Sequence, residues 1–279
     1  MSYKVIIPTY KRVDCLREKT LKTISKTNLD LSNLHVFVSD TEGEYEAYKN
    51  AFPKLNIIKG VRGLPNQHNL IQDYFAEGDK LFIMDDDISE IGIFDEANKR
   101  SIPIVDLDGF VKYAFTVTAD FKMQCWGANS NCNPLVMQNK FSVGLIYIVQ
   151  NLFGIINSHD RRTYVDTGDE IPLRRTYNAG KESHERVIKN YLTHGGVIKF
   201  KNVGAKGNYW VEKGGLEVSR TDEGELQASE YFVNKYPNLV RHREFQGHPD
   251  MEFIGGKTNV YPLDFVNTQN DMYNDLFSS

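Results

Sequence analysis

The stretch that decides the reading is Lys80-Leu-Phe-Ile-Met84-Asp85-Asp86-Asp87-Ile88. Its apolar first half predicts a buried strand, and three consecutive carboxylates end that strand. Like charges this close repel, so such a strand end is costly unless protonation or a cation relieves it. A hard divalent ion suits the role. Mg2+ or Mn2+ takes oxygen ligands from one or two carboxylates and completes its shell with a substrate's phosphates. The competing reading is an acidic loop that caps a following helix.

Upstream, the chain repeats one pattern. Tyr3-Lys-Val-Ile-Ile-Pro8 is a short strand stopped by proline, and Thr9, Tyr10, Lys11 and Arg12 lie in the turn before a helix over residues 14–25. Leu16, Thr20 and Ile24 fall four apart on one face of that helix. Leu34-His-Val-Phe-Val38 is the second strand, with Ser39, Asp40 and Thr41 just past its end. Polar residues there are suggestive, because open α/β sheets bind ligands beyond the carboxyl ends of their strands. Asp40 or Thr41 could equally cap a helix over residues 42–51. Leu55-Asn-Ile-Ile58 predicts a third strand. Gly63 and Pro65 then open a helix that sets Gln67, His68 and Asn69 in its first turn, near an anion-favouring N-terminus. A lone histidine is more often a structural hydrogen-bonder than a ligand. Residues 1–88 thus read β-α-β-α-β-α-β.

Downstream the pattern loosens. Residues 88–104 read as a loop with at most a weak strand, and residues 108–119 as a helix. Residues 125–134, rich in small and amide side chains around Trp126 and Gly127, suggest an acceptor-binding loop or a packed turn. The apolar run 143–156 divides into two strands or bends at Gly154. Ser183 is a candidate N-cap that places Glu185 in the first turn of a helix ending at Gly195-Gly196. Glu185 is either a capping carboxylate or a base at the rim of a cleft. Residues 197–201 form one more strand, and the glycine-rich stretch 202–226 has the character of a functional lid or a disordered segment. A helix over residues 229–236 precedes two basic residues, Arg241 and Arg243, and two histidines, His242 and His248.

Composition sets the bounds. The chain has 279 residues, 41% hydrophobic and 25% charged, the balance of a globular protein with ample core. No run approaches the roughly 18 apolar residues of a membrane span, so a cytoplasmic protein without membrane contact is expected. Three cysteines leave one over in any pairing, which predicts reduced thiols. A net charge of -4 argues against a protein that coats nucleic acid, though not against one basic face.

Val5-Ile-Ile-Pro-Thr-Tyr-Lys-Arg12 followed by Phe82-Ile-Met-Asp85-Asp86-Asp87 resembles the nucleotide-sugar glycosyltransferases of the GT-A fold, in particular the inverting group that includes many polysaccharide synthases. The resemblance covers residues 1 to about 200 and lies in order and spacing. It implies an α/β fold, a GT-A mixed sheet flanked by helices. Residues 1–200 would form a single glycosyltransferase domain (1–90 for the donor, 91–200 for the acceptor), with 201–279 as lid and C-terminal extension. It also implies a UDP-sugar donor contacted by Pro8, Thr9, Tyr10, Arg12, Asp40, Gly63, Gln67, His68, Asn69, Asp85 and Asp86. Mn2+ or Mg2+ would sit on Asp85 and Asp87, with His248 as a further ligand. Glu185 inherits the place of the catalytic base, and Trp126, Gly127, Arg186 and Trp210 the acceptor side.

The acceptor is the least legible part. Compact size and the lack of a membrane segment resemble the phage enzymes that glycosylate 5-hydroxymethylpyrimidines in double-stranded DNA. On that reading Lys199, Lys201, Lys206, Lys213, Arg220, Arg241 and Arg243 face phosphates, and Trp126 or Trp210 stacks on a flipped base. Two alternatives stand beside it: a glycosyltransferase acting on surface or capsular saccharide, and a nucleotide-sugar-binding protein without turnover. A monomer or a homodimer is expected.

Overall fold

The computed structural model describes residues 1–39, 43–167, 181–207, 221–245 and 247–260. Strand β1 is Lys4–Thr9. The chain turns through Lys11, at φ 55, into one continuous helix, α1, made of Val13–Cys15, Leu16–Leu21 and Lys22–Ile24. Its middle part is π-helical, a local widening often met at functional sites. Leu16, Thr20 and Ile24 are its buried face, as their spacing predicts. There follow β2 (Leu34–Val38), α2 (Glu44–Ala51), β3 (Asn56–Lys59), α3 (Leu64–Tyr74) and β4 (Lys80–Met84). This is the βα series expected for residues 1–88. β1 pairs in parallel with β2 and β4, and β2 with β3. Helical crossovers between parallel strands bring all their carboxyl ends to one edge, so Thr9, Ser39 and Asp85 collect there.

The second half adds β5 (Glu90–Asp95), β6 (Arg100–Pro103), α4 (Leu107–Asp120), β7 (Cys125–Asn129), β8 (Phe141–Gly144) and β9 (Leu152–Ile156). Then come α5 (Glu182–His194), β10 (Val197–Lys206), α6 (Asp222–Lys235), β11 (Val240–Phe245), β12 (His248–Phe253) and β13 (Lys257–Val260). Among the described residues the main sheet runs β13-β8-β10-β7-β9-β4-β1-β2-β3, with β5 and β6 attached through β10. β9 lies antiparallel between β4 and β7, so the sheet is mixed. Apolar clusters cover both faces. One packs under α1, α2 and α4, the other under α3 and α5. Among the described residues no helix is long and apolar enough to cross a membrane.

Several expectations are corrected. Residues 88–104 form the β5–β6 hairpin rather than a loop. The signal is broken by Gly92, where a Cβ would stand 2.2 Å from the Ser101 hydroxyl, and by a turn through Lys99 at φ 52. Residues 125–129 form a strand inside the sheet, so Trp126 and Gly127 do not belong to an acceptor loop. Trp126 is fully buried, stacked on Phe82 at 5.9 Å and edge-on to Phe110, Phe115 and Phe200. Gly127 is a glycine because Ile148 would lie 2.8 Å from its Cβ. Gly154 is no bend either. It sits within β9, and a Cβ there would stand 2.2 Å from the Trp126 indole nitrogen. A boundary at residue 200 would cut β10, and β13, assigned to the extension, pairs with β8 at the sheet edge.

Since Trp126 fills the core, Trp126→Ala is expected to cost about 3–5 kcal/mol of stability and Gly154→Ala about 1–3 kcal/mol through overpacking. Denaturant unfolding measures both. A loss within about 0.5 kcal/mol for Trp126→Ala would contradict its place in the core.

Candidate active site

The acidic turn after β4 is clamped from both sides. The Asp85 amide donates to the Asn151 carbonyl at 3.0 Å. From α1, the Thr20 hydroxyl donates to the Asp85 carbonyl at 2.8 Å and accepts from the Ile88 amide at 2.9 Å, while Thr23 donates to the Ile88 carbonyl at 3.0 Å. A threonine on an otherwise apolar helix face therefore fixes the backbone of all three aspartates. The end of β10 closes over them, since a Cβ on Gly207 would stand 2.8 Å from Asp87 Oδ1.

The side chains form one network with the end of β1. Asp86 accepts the Thr9 hydroxyl at 2.6 Å on Oδ2 and Arg12 Nη1 at 3.3 Å on Oδ1. The same Arg12 nitrogen reaches Asp87 Oδ2 at 3.4 Å. Tyr48 on α2 stands behind, its oxygen 2.6 Å from Thr9 Oγ1 and accepting the Arg12 amide at 2.9 Å. With the single Thr9 proton committed to Asp86, Tyr48 is the donor in the pair with Thr9. Burial is the dominant force on these groups. It pushes the Asp86 carboxyl up to about 6 against the pull of Arg12 and Thr9. It also opposes the charge of Arg12, but Asp86 and Asp87 outweigh it and hold the guanidinium above its ordinary value. Asp86 is thus a supporting carboxylate.

This has a pH consequence. The folded pKa of Asp86 lies above its unfolded value, so its contribution to stability is full below about pH 4 and is lost as pH rises through about 6. In chelator-containing buffer, the stability of the wild type relative to Asp86→Asn should fall between pH 4 and 7, by on the order of 3 kcal/mol. A difference that is flat with pH would contradict the burial of this charge.

The remaining donor-side candidates divide. Pro8 and Thr9 lie at the buried end of β1 and Tyr10 at its rim, with the Lys11 ammonium 5.2 Å over the Tyr10 ring. Asp40 lies outside the described residues. Gly63, at φ 90, starts α3 with Pro65 in the first turn. Gln67 is buried and spends its Oε1 on the Val61 amide at 2.7 Å, beside a Gly60 with no room for a side chain. His68 turns into the core, edge-on to Phe153 at 5.8 Å. Burial, with Arg186 nearby, drives its pKa well below the ordinary histidine value, so it is a neutral ring packed in the core. Asn69 exchanges two hydrogen bonds with the Val165 backbone, at 2.8 and 3.2 Å. Of the first turn of α3, then, these three side chains hold the scaffold.

Helix α5 starts two residues earlier than predicted. Its N-cap is Lys181, left-handed at φ 71, and not Ser183, while Gly195 at φ 82 ends it as read. Lys181 pairs with Glu225 at 3.0 Å and Asp250 at 2.8 Å, which ties α6 and β12 to the helix start. Glu185 is buried in the first turn. Its Oε1 accepts the Asp166 amide at 2.7 Å and Lys189 Nζ at 2.9 Å, and Lys189 also donates to the Tyr164 carbonyl. Arg186, expected on the acceptor side, is buried with its guanidinium 5.7 Å over Phe153 and donates to Gln72 Oε1 at 3.3 Å. His248 lies on β12 with its Nδ1 3.0 Å from Asp222, so it is seated on α6 and not with the aspartates. Trp210 lies outside the described residues. Thr20, Tyr48, Asn151 and Gly207 are the contributors that sequence reasoning passes over. Only Thr20 carried a signal, as a polar residue in an apolar row.

No protein-family model matches the chain, and no curated protein is similar to it in sequence. Solved structures are similar in fold. S. aureus TarS 1–349 in complex with UDP-GlcNAc aligns at TM-score 0.54 and 14% identity, over 84% of this chain and 67% of that one. The mannosyltransferase PcManGT from Pyrobaculum calidifontis, in complex with GDP-Man and Mn2+, aligns at 0.50 and 16%, over 84% of this chain and 63% of that one. GalNAc-T7 with UDP, GalNAc and Mn2+ aligns at 0.51 and 10%, over 74% and 44%. The fold is that of the GT-A glycosyltransferases. The chain spans less than two thirds of the length of the mannosyltransferase, 63%.

Within the GT-A frame the acidic turn can be tested for a cation. Asp85 and Asp87 supply hard carboxylate oxygens at the edge where the parallel strands end, which fits Mg2+ or Mn2+. Among the described residues no three His, Cys, Asp or Glu side chains converge into a metal-ligating group. An ion held here would therefore complete its shell from a ligand's phosphates and water.

Proposed function

We propose that this protein transfers a sugar from a UDP-sugar to an acceptor hydroxyl. The observation that carries the reading is the acidic turn, clamped by Thr20 and networked through Arg12, Thr9 and Tyr48, at the strand ends of a GT-A sheet. Asp85 and Asp87 would hold a divalent cation against the donor diphosphate, and its chemistry is to stabilise the negative charge that develops on the leaving UDP. Asp86 and Arg12 keep Asp87 in place. Ser39, with its amide bonded to the Thr9 carbonyl at 3.2 Å, closes the strand-end shelf on which the nucleotide would lie.

Glu185 is the proposed base. Its carboxylate is oriented by Lys189 and the Asp166 amide, and it would take the acceptor proton as the hydroxyl attacks the anomeric carbon opposite the departing UDP, with inversion. For the acceptor, a saccharide is favoured over a flipped DNA base, because Trp126, the described candidate for stacking, is locked in the core.

The test is UDP release from a panel of UDP-sugars with Mn2+, alone, with hydroxymethylated duplex DNA, and with oligosaccharide. Cation-dependent release that rises with saccharide supports the proposal. Release that rises only with DNA moves the acceptor to DNA. No release under any condition leaves a nucleotide-sugar-binding protein and overturns the catalytic reading.

A further inference from the structure

A second cluster of charge lies at the other edge of the main sheet. Register sets Lys199 of β10 opposite Ser142 of β8, and Ser142 opposite Asn259 of β13. It also sets Lys257 opposite Gly144. Side chains alternate along a strand and directly paired residues share a face, so Lys199, Lys201 and Lys257 project together. Val197, on that same face of β10, packs in the apolar cluster that holds Val187 of α5. The β11–β12 hairpin and the first turn of α5 form the other side, and the walls line an open cleft of about 550 Å³.

The lysines crowd one another. Burial, with Lys201 and Lys257 beside it, pushes Lys199 down to about 8. Lys201 is also lowered, by burial and then by Lys140 and Lys257. Among the described residues no carboxylate pairs with Lys199, Lys201 or Lys257, and the acids nearby are engaged elsewhere. Glu252 bonds Arg241 at 2.6 Å, and Asp250 bonds Lys181 at 2.8 Å and Arg243 at 2.5 Å. The three lysines outnumber the one carboxylate on the cleft wall, Glu252, which is already paired with Arg241, and such a surplus of positive charge favours an anionic ligand; phosphate suits several ammonium donors at once. The cleft also offers ring surface. Tyr147 and Phe253 are half-buried in its wall, braced by the buried His184 at 4.5 and 5.5 Å between ring centres, and their exposed ring surface suits the apolar side of a sugar.

We propose that this cleft binds a sugar-phosphate unit of the acceptor, its phosphate on Lys199, Lys201 and Lys257 and its sugar ring against Tyr147 and Phe253. Assignment to the acceptor rests on the glycosyl-transfer reading, while the binding of a sugar phosphate does not. The lysines converge into one concave pocket, whereas duplex DNA is held by cations spread along a surface that follows its backbone.

Calorimetric titration with glucose 6-phosphate, glucose and inorganic phosphate tests the site, on wild type, Lys199→Met and Lys257→Ala. Lys257 lies exposed on the edge strand, so its variant remains informative if Lys199→Met does not fold. Glucose 6-phosphate should bind at least about tenfold more tightly than glucose or phosphate, and each substitution should weaken it by about tenfold or more while UDP affinity stays unchanged. Equal binding of glucose and glucose 6-phosphate, or indifference to both substitutions, overturns the site. So does lysine-dependent binding of duplex DNA in place of glucose 6-phosphate. Lysine-dependent glucose 6-phosphate binding in a protein that releases no UDP keeps the site and removes the glycosyl-transfer reading. UDP release without lysine-dependent binding removes the site alone.

Discussion

Asp87→Ala is expected to lower Mn2+-dependent UDP release by at least about a thousandfold, with the fold retained. The size follows from what the carboxylate would do. Charge stabilisation of a leaving phosphate by a bound cation is worth several kcal/mol, and each 1.36 kcal/mol is about tenfold in rate. Asp87 is only 6% exposed, and its Oδ2 lies 3.4 Å from Arg12 Nη1. The substitution therefore removes the proposed cation ligand and also one of the two carboxylates that hold Arg12. Asp86→Asn separates these effects. It keeps an oxygen for the Thr9 hydroxyl and leaves Asp87 in place, so its loss of activity should be much smaller. The comparison is made by steady-state UDP release across Mn2+ concentrations, with thermal unfolding as the check on folding. Wild-type rates in Asp87→Ala would remove the acidic turn from the chemistry.

Glu185→Gln is expected to lower transfer to acceptor by about 10²- to 10⁴-fold, the range for loss of a positioned base. The amide preserves shape and can still accept the Asp166 amide proton, so the change falls on proton acceptance and on the pair with Lys189. The reading of Glu185 as a purely structural tie makes the opposite forecast. It predicts lowered stability with near-normal kcat in the folded protein. The first turn of α5 holds a second buried carboxylate, Glu182, which provides the control. Glu182→Gln should leave kcat within about tenfold of wild type, and an exchange of the two results would move the base from Glu185 to Glu182.

The first 88 residues are legible because each βα unit carries its own period. The i, i+4 row of Leu16, Thr20 and Ile24 and the apolar run of Lys80–Met84 fix which faces are buried without long-range information. The carboxylate triplet is legible for the same reason, since its cost is local. The middle of the chain is not, because its small residues are set by distant neighbours. Gly154 makes room for Trp126 and Gly127 for Ile148, and sequence alone reads the first as a strand break or bend and the second as part of a loop or turn. Nor can periodicity tell a ligand-facing polar residue from one that ties the scaffold. Gln67, His68 and Asn69 sit in the turn where a phosphate contact is expected, yet they hold Val61, Phe153 and Val165. His248 fails similarly, since its partner Asp222 belongs to a helix 26 residues upstream. The lysines of the sheet edge look scattered in sequence and become one cluster only through the register of β10, β8 and β13.

The most direct measurement is titration of UDP into the protein with Mn2+ and with EDTA, for wild type and for Asp87→Ala. A donor site built on the acidic turn predicts that Mn2+ tightens UDP binding at least about tenfold in the wild type and has no effect in the variant. UDP binding indifferent to Mn2+, or equally Mn2+-dependent without Asp87, would contradict it.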